Sequence, residues 1–228
     1  MPASNRIHPT AVISGDVTLG TGKTIGPFVT ITGPVVIGDD NWFGAGVVIG
    51  APPEVRTFEH PLSEGDPAGN GVVIGSRNVI REYAQVHQGW KGRTTLGDDL
   101  FIMNQVYVAH DCTLGDGVTM ASSVLLAGHV TVGAQANLGL GTAVHQRVRI
   151  GGGAMLGMGS IVTRDIPPFS KAYGNPARVK GVNTIGMERG GIPTDDIEAV
   201  VAAYSAAERD LSALAQRAAL KEHFADWI

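Results

Sequence analysis

The sequence predicts an all-β chain: a three-sided parallel β-helix followed by a short α-helical appendage. Three observations carry this. Large apolar residues recur every six positions, glycine supplies 32 of 228 residues, and the helical period of 3.6 appears only near the carboxyl end. That glycine share, about 14%, is twice the usual ~7% and implies many regularly spaced turns.

The period begins with Ile7, Ile13, Leu19, Ile25, Ile31, Ile37, Phe43 and Ile49. It slips, resumes at Ile74, Ile80 and Val86, and then holds in every sixth position from Leu96 to Val162. The fifth position of each hexad is small or apolar (Val106, Cys112, Val118, Val124, Val130), so positions one and five point inward. Glycine often takes position two, as at Gly97, Gly115, Gly133 and Gly151, and is read as relieving the backbone where the chain bends. Six residues make one side and eighteen make one coil. The pattern covers about residues 7–167, roughly seven to eight coils. Two interruptions read as loops extruded from the prism, at 51–73 and at about 88–95.

An exit follows at Pro167 and Pro168, and Gly190, Gly191 and Pro193 break the chain before a single final helix over about 195–222. Its apolar face is Ile197, Val200/Val201, Tyr204, Leu211, Leu214 and Ala218, and Asp195, Asp196 and Glu198 favour its amino-terminal dipole. The domain division is therefore 1–183 for the β-helix and 184–228 for the helical segment.

Composition removes several functions. Seventeen basic against twenty-one acidic residues, with no basic stripe, argue against a nucleic-acid partner or an anionic membrane surface. No run of 18 apolar residues suggests membrane insertion, and the start leads into no apolar signal segment, so the expected location is cytoplasmic. A lone cysteine, Cys112, permits no internal disulfide, and its inward position marks it as core.

The repeat also serves as a ruler. Hexads at 108, 126 and 144 are 18 residues apart and stack on one side; the hexad at 86 joins them if 88–95 is an insertion. These four hexads place His87, His110, His129 and His145 at outward positions on one side. Histidines grouped this way raise a zinc site as an alternative, because imidazole is a common ligand. Metal-binding β-helices resembling carbonic anhydrase carry an H-x4-H pair plus a third histidine. Separations of 19 residues (110 to 129) and 16 (129 to 145) do not match, so no metal is expected.

The hexad pattern resembles the left-handed parallel β-helix of the hexapeptide acyltransferases, and the handedness is what that resemblance implies. The segments VAHDCTLGDG (108–117), LLAGHVTVG (125–133), GTAVHQ (141–146), IPPF (166–169) and GVNTIGMERGG (181–191) are more specific. In this order, with IHPTAVI and IGSRNVIRE upstream, they closely resemble the bacterial UDP-N-acetylglucosamine O-acyltransferases that begin lipid A synthesis. The resemblance implies His110 as general base, Asp111 as its orienting partner and the Gly128 N–H as oxyanion donor. It implies substrate contacts at His129, His145 and Gln146, with His87 more peripheral. Glu54 and Arg56 match the family's acid–base pair for the amino sugar, as Glu and Arg in place of Asp and Lys. Asn183 and Arg189 match positions that hold the donor's carrier arm or the nucleotide. Met158 falls where the family limits acyl length, glycine admitting long chains and bulkier residues shorter ones.

The resemblance also implies an acyl-carrier-protein thioester or acyl-CoA as donor, a UDP-amino-sugar acceptor, a homotrimer with sites between adjacent prisms, and no cofactor. Departures are Tyr107 where the family has a further histidine, Ile185 in place of Glu, Gly190 after Arg189, and a carboxyl segment shorter than the family's helical bundle. Three other readings stand beside acyl-carrier-protein-dependent transfer to the 3-hydroxyl of UDP-N-acetylglucosamine. They are an enzyme using acyl-CoA or another nucleotide sugar, a non-catalytic β-helix scaffold, and a metal-dependent hydratase.

Overall fold

The computed structural model describes residues 4–60, 69–208, 210–224 and 227. Strands mostly two or three residues long stack into three parallel faces, of ten strands beginning at Arg6–Ile7, eight beginning at Val12–Ser14 and seven beginning at Val17–Leu19. These are the first, second and third faces. Their register follows the predicted coil: on the second face Val86 pairs with Val108, Val108 with Leu126, and Leu126 with Val144.

Nine of the ten first-face strands are parallel; the tenth, Ala177–Val182, folds back antiparallel on Ser170–Gly174. The hexads to Pro167 make the expected coils, eight of them, and the stack runs to about nine turns. Strand Ser170–Gly174 adds the first side of a ninth coil beyond Pro167–Pro168, where the six-residue pattern has already ended.

Strands this short cannot hold themselves; each is stable because coils above and below satisfy its backbone and bury its inward residues. Ile80, Val86, Ile102, Val108, Val124 and Leu126 are fully buried, each contributing roughly 1.5–3 kcal/mol of apolar transfer. The bend itself is made at position four, not at the glycine of position two. Position four adopts left-handed backbone in every hexad from Leu96 to the one opening at Leu156, with φ of 60° at Asp111, 62° at His129 and 67° at Gly117. Position-two glycine has another task, which is close approach between coils. A Cβ at Gly133 would stand 2.5 Å from the Gly152 nitrogen of the next coil.

Both insertions leave the same corner, between the second and third faces. Ala51 still belongs to strand Val48–Ala51 and Val72 opens Val72–Ile74, so the first insertion is 52–71, of which 61–68 lie outside the described residues. The second lies between Gln85–His87 and Thr94–Leu96, so it spans 88–93.

The predicted final helix is instead part of a run of four short ones: α1 (Thr184–Arg189), α2 (Thr194–Ser205), α3 (Ser212–Ala215) and α4 (Lys221–Phe224). Continuity fails after Ser205, where Ala207 turns to φ 54°. Ile197, Val200, Leu211 and Leu214 are buried with Phe169, Met187, Leu220 and Phe224 in a second core cluster. Val201 and Ala218, expected on that face, are exposed. Among the described residues no helix is long and apolar enough to cross a membrane.

Candidate active site

The corner between the second and third faces carries the histidines in four successive coils. His87 ends its second-face strand and the other three follow theirs, and the register of those strands stacks them in one column. One expectation is corrected: His87 is not an outward surface residue but only 6% exposed, because the first insertion covers it. Its Nδ1 lies 2.9 Å from the Pro52 carbonyl oxygen, and its ring packs tilted against Tyr107 at 5.1 Å between centroids.

His110 and Asp111 form a close pair, Nδ1 to Oδ2 at 2.7 Å, with side chains 13% and 6% exposed. Asp111 occupies the left-handed fourth position of its corner, and His129 does so one coil along. Asp and His are among the side chains that adopt this region most readily. Burial pushes the Asp111 carboxyl up, but hydrogen bonds from the Gly92 N–H, His110 and the Trp90 and Lys91 N–H groups outweigh it, so its pKa is lowered. His129 Nε2 stands 3.8 Å from the same carboxylate, and its ring meets His110 edge-on at 5.0 Å between centroids. Burial lowers the His129 pKa, so this neighbour favours the neutral form.

Gly128 lies directly against the His110 ring. A Cβ there would come within 2.5 Å of His110 Cε1 and 2.6 Å of Nε2, so only glycine leaves room for the ring. Its N–H has no acceptor among the described residues. Cys112 is fully buried, and burial pushes its thiol pKa up to about 12. That is opposite to a nucleophile's need.

The His110, Asp111 and His129 ligand atoms lie within 4.8 Å of one another, a set able to hold a metal ion. The carboxylate already accepts three backbone N–H groups and faces His110. That loading suits an orienting partner better than a ligand.

The remaining predicted residues do not all converge. Glu54, on the first insertion, accepts a hydrogen bond from the Tyr107 hydroxyl, whose pKa is raised first by burial and then by that contact. Arg56 is exposed on the same insertion. His145 and Gln146 are exposed at the histidine corner one coil beyond His129. Met158, 74% exposed, stands at a different corner, between the first and second faces. Asn183 lies by the third corner and is engaged by its own chain: its amide donates to the Gly153 oxygen at 3.0 Å and its carbonyl accepts the Gly186 N–H, capping α1. Arg189, at the end of α1, is exposed.

The family model described as "Udp N-acetylglucosamine O-acyltransferase; Domain 2" matches residues 165–226. The acyl-[acyl-carrier-protein]--UDP-N-acetylglucosamine O-acyltransferase of Paraburkholderia phymatum is 42% identical over 221 residues, covering 88% of this chain and 82% of that protein. The chain belongs to this acyltransferase family. Solved UDP-N-acetylglucosamine acyltransferases share its architecture. That from Francisella novicida gives a TM-score of 0.85 at 28% identity, covering 97% of this chain and 86% of that one. That from Campylobacter jejuni gives 0.77 at 29%, covering 96% and 94%. The match over 165–226 shows that the carboxyl segment corresponds to the second domain of that family model.

Proposed function

We propose that this chain transfers an acyl group from an acyl-carrier-protein thioester to the 3-hydroxyl of UDP-N-acetylglucosamine, with His110 as general base. One observation carries the reading: the 2.7 Å His110–Asp111 contact against Gly128. With Nδ1 turned to the carboxylate, Nε2 is the nitrogen available to the acceptor. It takes the hydroxyl proton as the sugar oxygen attacks the thioester carbonyl, a step worth about 10²–10⁴-fold. The Gly128 N–H is the donor for the tetrahedral oxyanion, contributing roughly 3–4 kcal/mol. Collapse expels the thiolate, which recovers the proton from the imidazolium. Asp111 stays ionised throughout and stabilises that imidazolium. No acyl-enzyme is required.

His129, His145 and Gln146 extend the column along which the acceptor lies, while Glu54 and Arg56 reach over it from the insertion. Met158, Asn183 and Arg189 sit at the other two corners of the prism, so one chain cannot gather every predicted contact. A homotrimer, with each cleft formed by the histidine corner of one prism and other corners of its neighbour, brings them together. Light scattering that gives a 23.7 kDa monomer at micromolar concentration overturns the assembly.

The deciding experiment is a matrix of acyl-carrier-protein and acyl-CoA donors against UDP-sugars, read by mass spectrometry. Acylated UDP-N-acetylglucosamine from the carrier-protein donor is expected. Product only from acyl-CoA or another sugar reassigns the partners, and no product in any cell supports a scaffold. Loss of turnover on chelation, restored by metal, supports the hydratase-type site instead.

A further inference from the structure

The Asp111 carboxylate draws most of its partners from outside the repeat. Its Oδ1 accepts the N–H of Lys91 at 2.8 Å and of Gly92 at 2.6 Å, while Oδ2 accepts the N–H of Trp90 at 3.0 Å. Three successive backbone amides converging on one anion make a nest. All three belong to the second insertion, which no strand ladder holds in place. Its first residues and Asn70 hold it instead: the Gln88 and Gly89 N–H groups donate to the Ala51 and Gly71 oxygens at 2.8 Å and 3.1 Å. Buried Gln88 donates its side-chain amide to the Gly50 oxygen at 2.8 Å and to the Thr32 and Gly33 oxygens at 3.2 Å. Asn70, at the end of the first insertion, donates its backbone N–H to the Gly89 oxygen at 2.7 Å and its side-chain amide to the Trp90 oxygen at 2.8 Å. The Trp90 indole then stands edge-on to His110, 6.3 Å between centroids.

We propose that Asn70 is a positioning residue for His110. It sets the Gly89–Trp90 segment, that segment aims the amide nest, and the nest fixes the carboxylate that keeps the His110 proton on Nδ1. The inference rests on the reading of His110 as base. Its physical content is the choice of tautomer. The two ring nitrogens of a neutral imidazole are distinct, and the hydrogen bond made by one decides which carries the proton. A carboxylate held by three amides offers Nδ1 one fixed acceptor, and a carboxylate free to rotate does not. The two hydrogen bonds of Asn70 also tie the insertion that carries Glu54 and Arg56 to the group that aligns the base.

The test uses the full chain with ¹⁵N-labelled histidine, the His110 signals being assigned by their loss in His110→Ala. Wild type should show the Nδ1–H tautomer. Asn70→Ala removes the bond to Trp90; Asn70→Asp does the same at nearly constant volume. Gly89→Ala attacks the link independently, because its Cβ would stand 2.0 Å from the Gly92 oxygen. Each variant should move His110 toward the Nε2–H tautomer and lower kcat about 10–100-fold, with KM for the acyl donor changed less than about twofold. A retained Nδ1–H tautomer, or an unchanged kcat, in the Asn70 variants overturns the proposal. Failure of the base reading is a separate result: His110→Ala would then keep its activity.

Discussion

Two corners of the same prism treat the same backbone group in opposite ways. At the corner between the third and first faces, four third-position N–H groups find side-chain acceptors one coil along. The Thr21 N–H donates to Asp39 at 2.7 Å, Asp39 to Ser76 at 3.0 Å, Ser76 to Asp98 at 2.8 Å and Asp98 to Asp116 at 2.7 Å. Farther along, the Gly152 N–H donates to the His223 carbonyl oxygen of α4 at 3.2 Å. At the histidine corner the Gly128 N–H has no such acceptor among the described residues, although Gly128 is buried. A buried amide left unpaired costs about 1–3 kcal/mol, a deficit that a ligand oxygen can relieve. The repeat is common to both corners. What differs is the third residue, and Asp or Ser closes a corner that Gly or His leaves open to chemistry.

The largest break in that comparison comes from the open corner. His110→Ala should lower kcat at least about 10²-fold with little change in Tm, since the ring is outside the prism core. Gly128→Ala should do comparable damage by a different route: its Cβ meets His110 Nε2 at 2.6 Å and must displace the ring. Cys112→Ala, one position beyond the dyad but facing inward, should keep substantial turnover. A dead but folded Cys112→Ala beside an active His110→Ala would sink the mechanism.

Next in size is the corner between the first and second faces, where Met158 protrudes. If its thioether closes the acyl groove between neighbouring prisms, Met158→Gly should move preference toward a longer donor by about tenfold or more in kcat/KM. Each added methylene that fits contributes roughly 0.8 kcal/mol. A ladder of donors in which the preference stays put, with activity preserved, leaves Met158 as an interface filler.

The closed corner should give a stability effect and nothing else. Asp98→Ala removes the acceptor of the Ser76 N–H and one partner of Arg77, at 2.8 Å and 3.0 Å. The pair with Arg77 is half exposed and worth little, so the loss should be about 1 kcal/mol, from the capping bond. Chemical denaturation checks this. A kcat that falls with it would show that the closed corner is part of the site after all.

How far the site was legible in the sequence follows from the same contrast. The six-residue ruler places His110, His129 and His145 on one corner because side-chain direction in a coil depends only on position. It misplaces His87, because burial there comes from an insertion whose path the ruler does not describe. The amide nest left no trace in residue type, since Trp90, Lys91 and Gly92 contribute backbone N–H groups that any non-proline residue supplies. The one usable signal was placement: both insertions leave the histidine corner, in the two coils that precede the coil of His110. Helical periodicity likewise ran through Ala206–Ala207, where no glycine or proline marks the break.

The smallest effect tests whether the far end of the closed corner depends on pH. His223 of α4 is 7% exposed, stacks on Phe169 at 4.5 Å between centroids and has Nε2 3.3 Å from Gln135 Oε1. Burial lowers its pKa, only partly offset by Glu222, so the docked helix holds it neutral. The undocked chain titrates near the usual histidine value of about 6.5. Between the two values the undocked state binds more protons, so docking is at full strength above about pH 6.5 and weakens as pH falls toward the docked pKa. Hydrogen exchange of residues 212–224, corrected for intrinsic rates, should therefore show less protection at pH 5.5 than at pH 7.5. His223→Gln removes the titrating ring and should flatten that dependence while sparing turnover at pH 7.5, because α4 covers the closed corner and not the histidine corner. The same pH dependence in wild type and variant would assign the loosening to some other group.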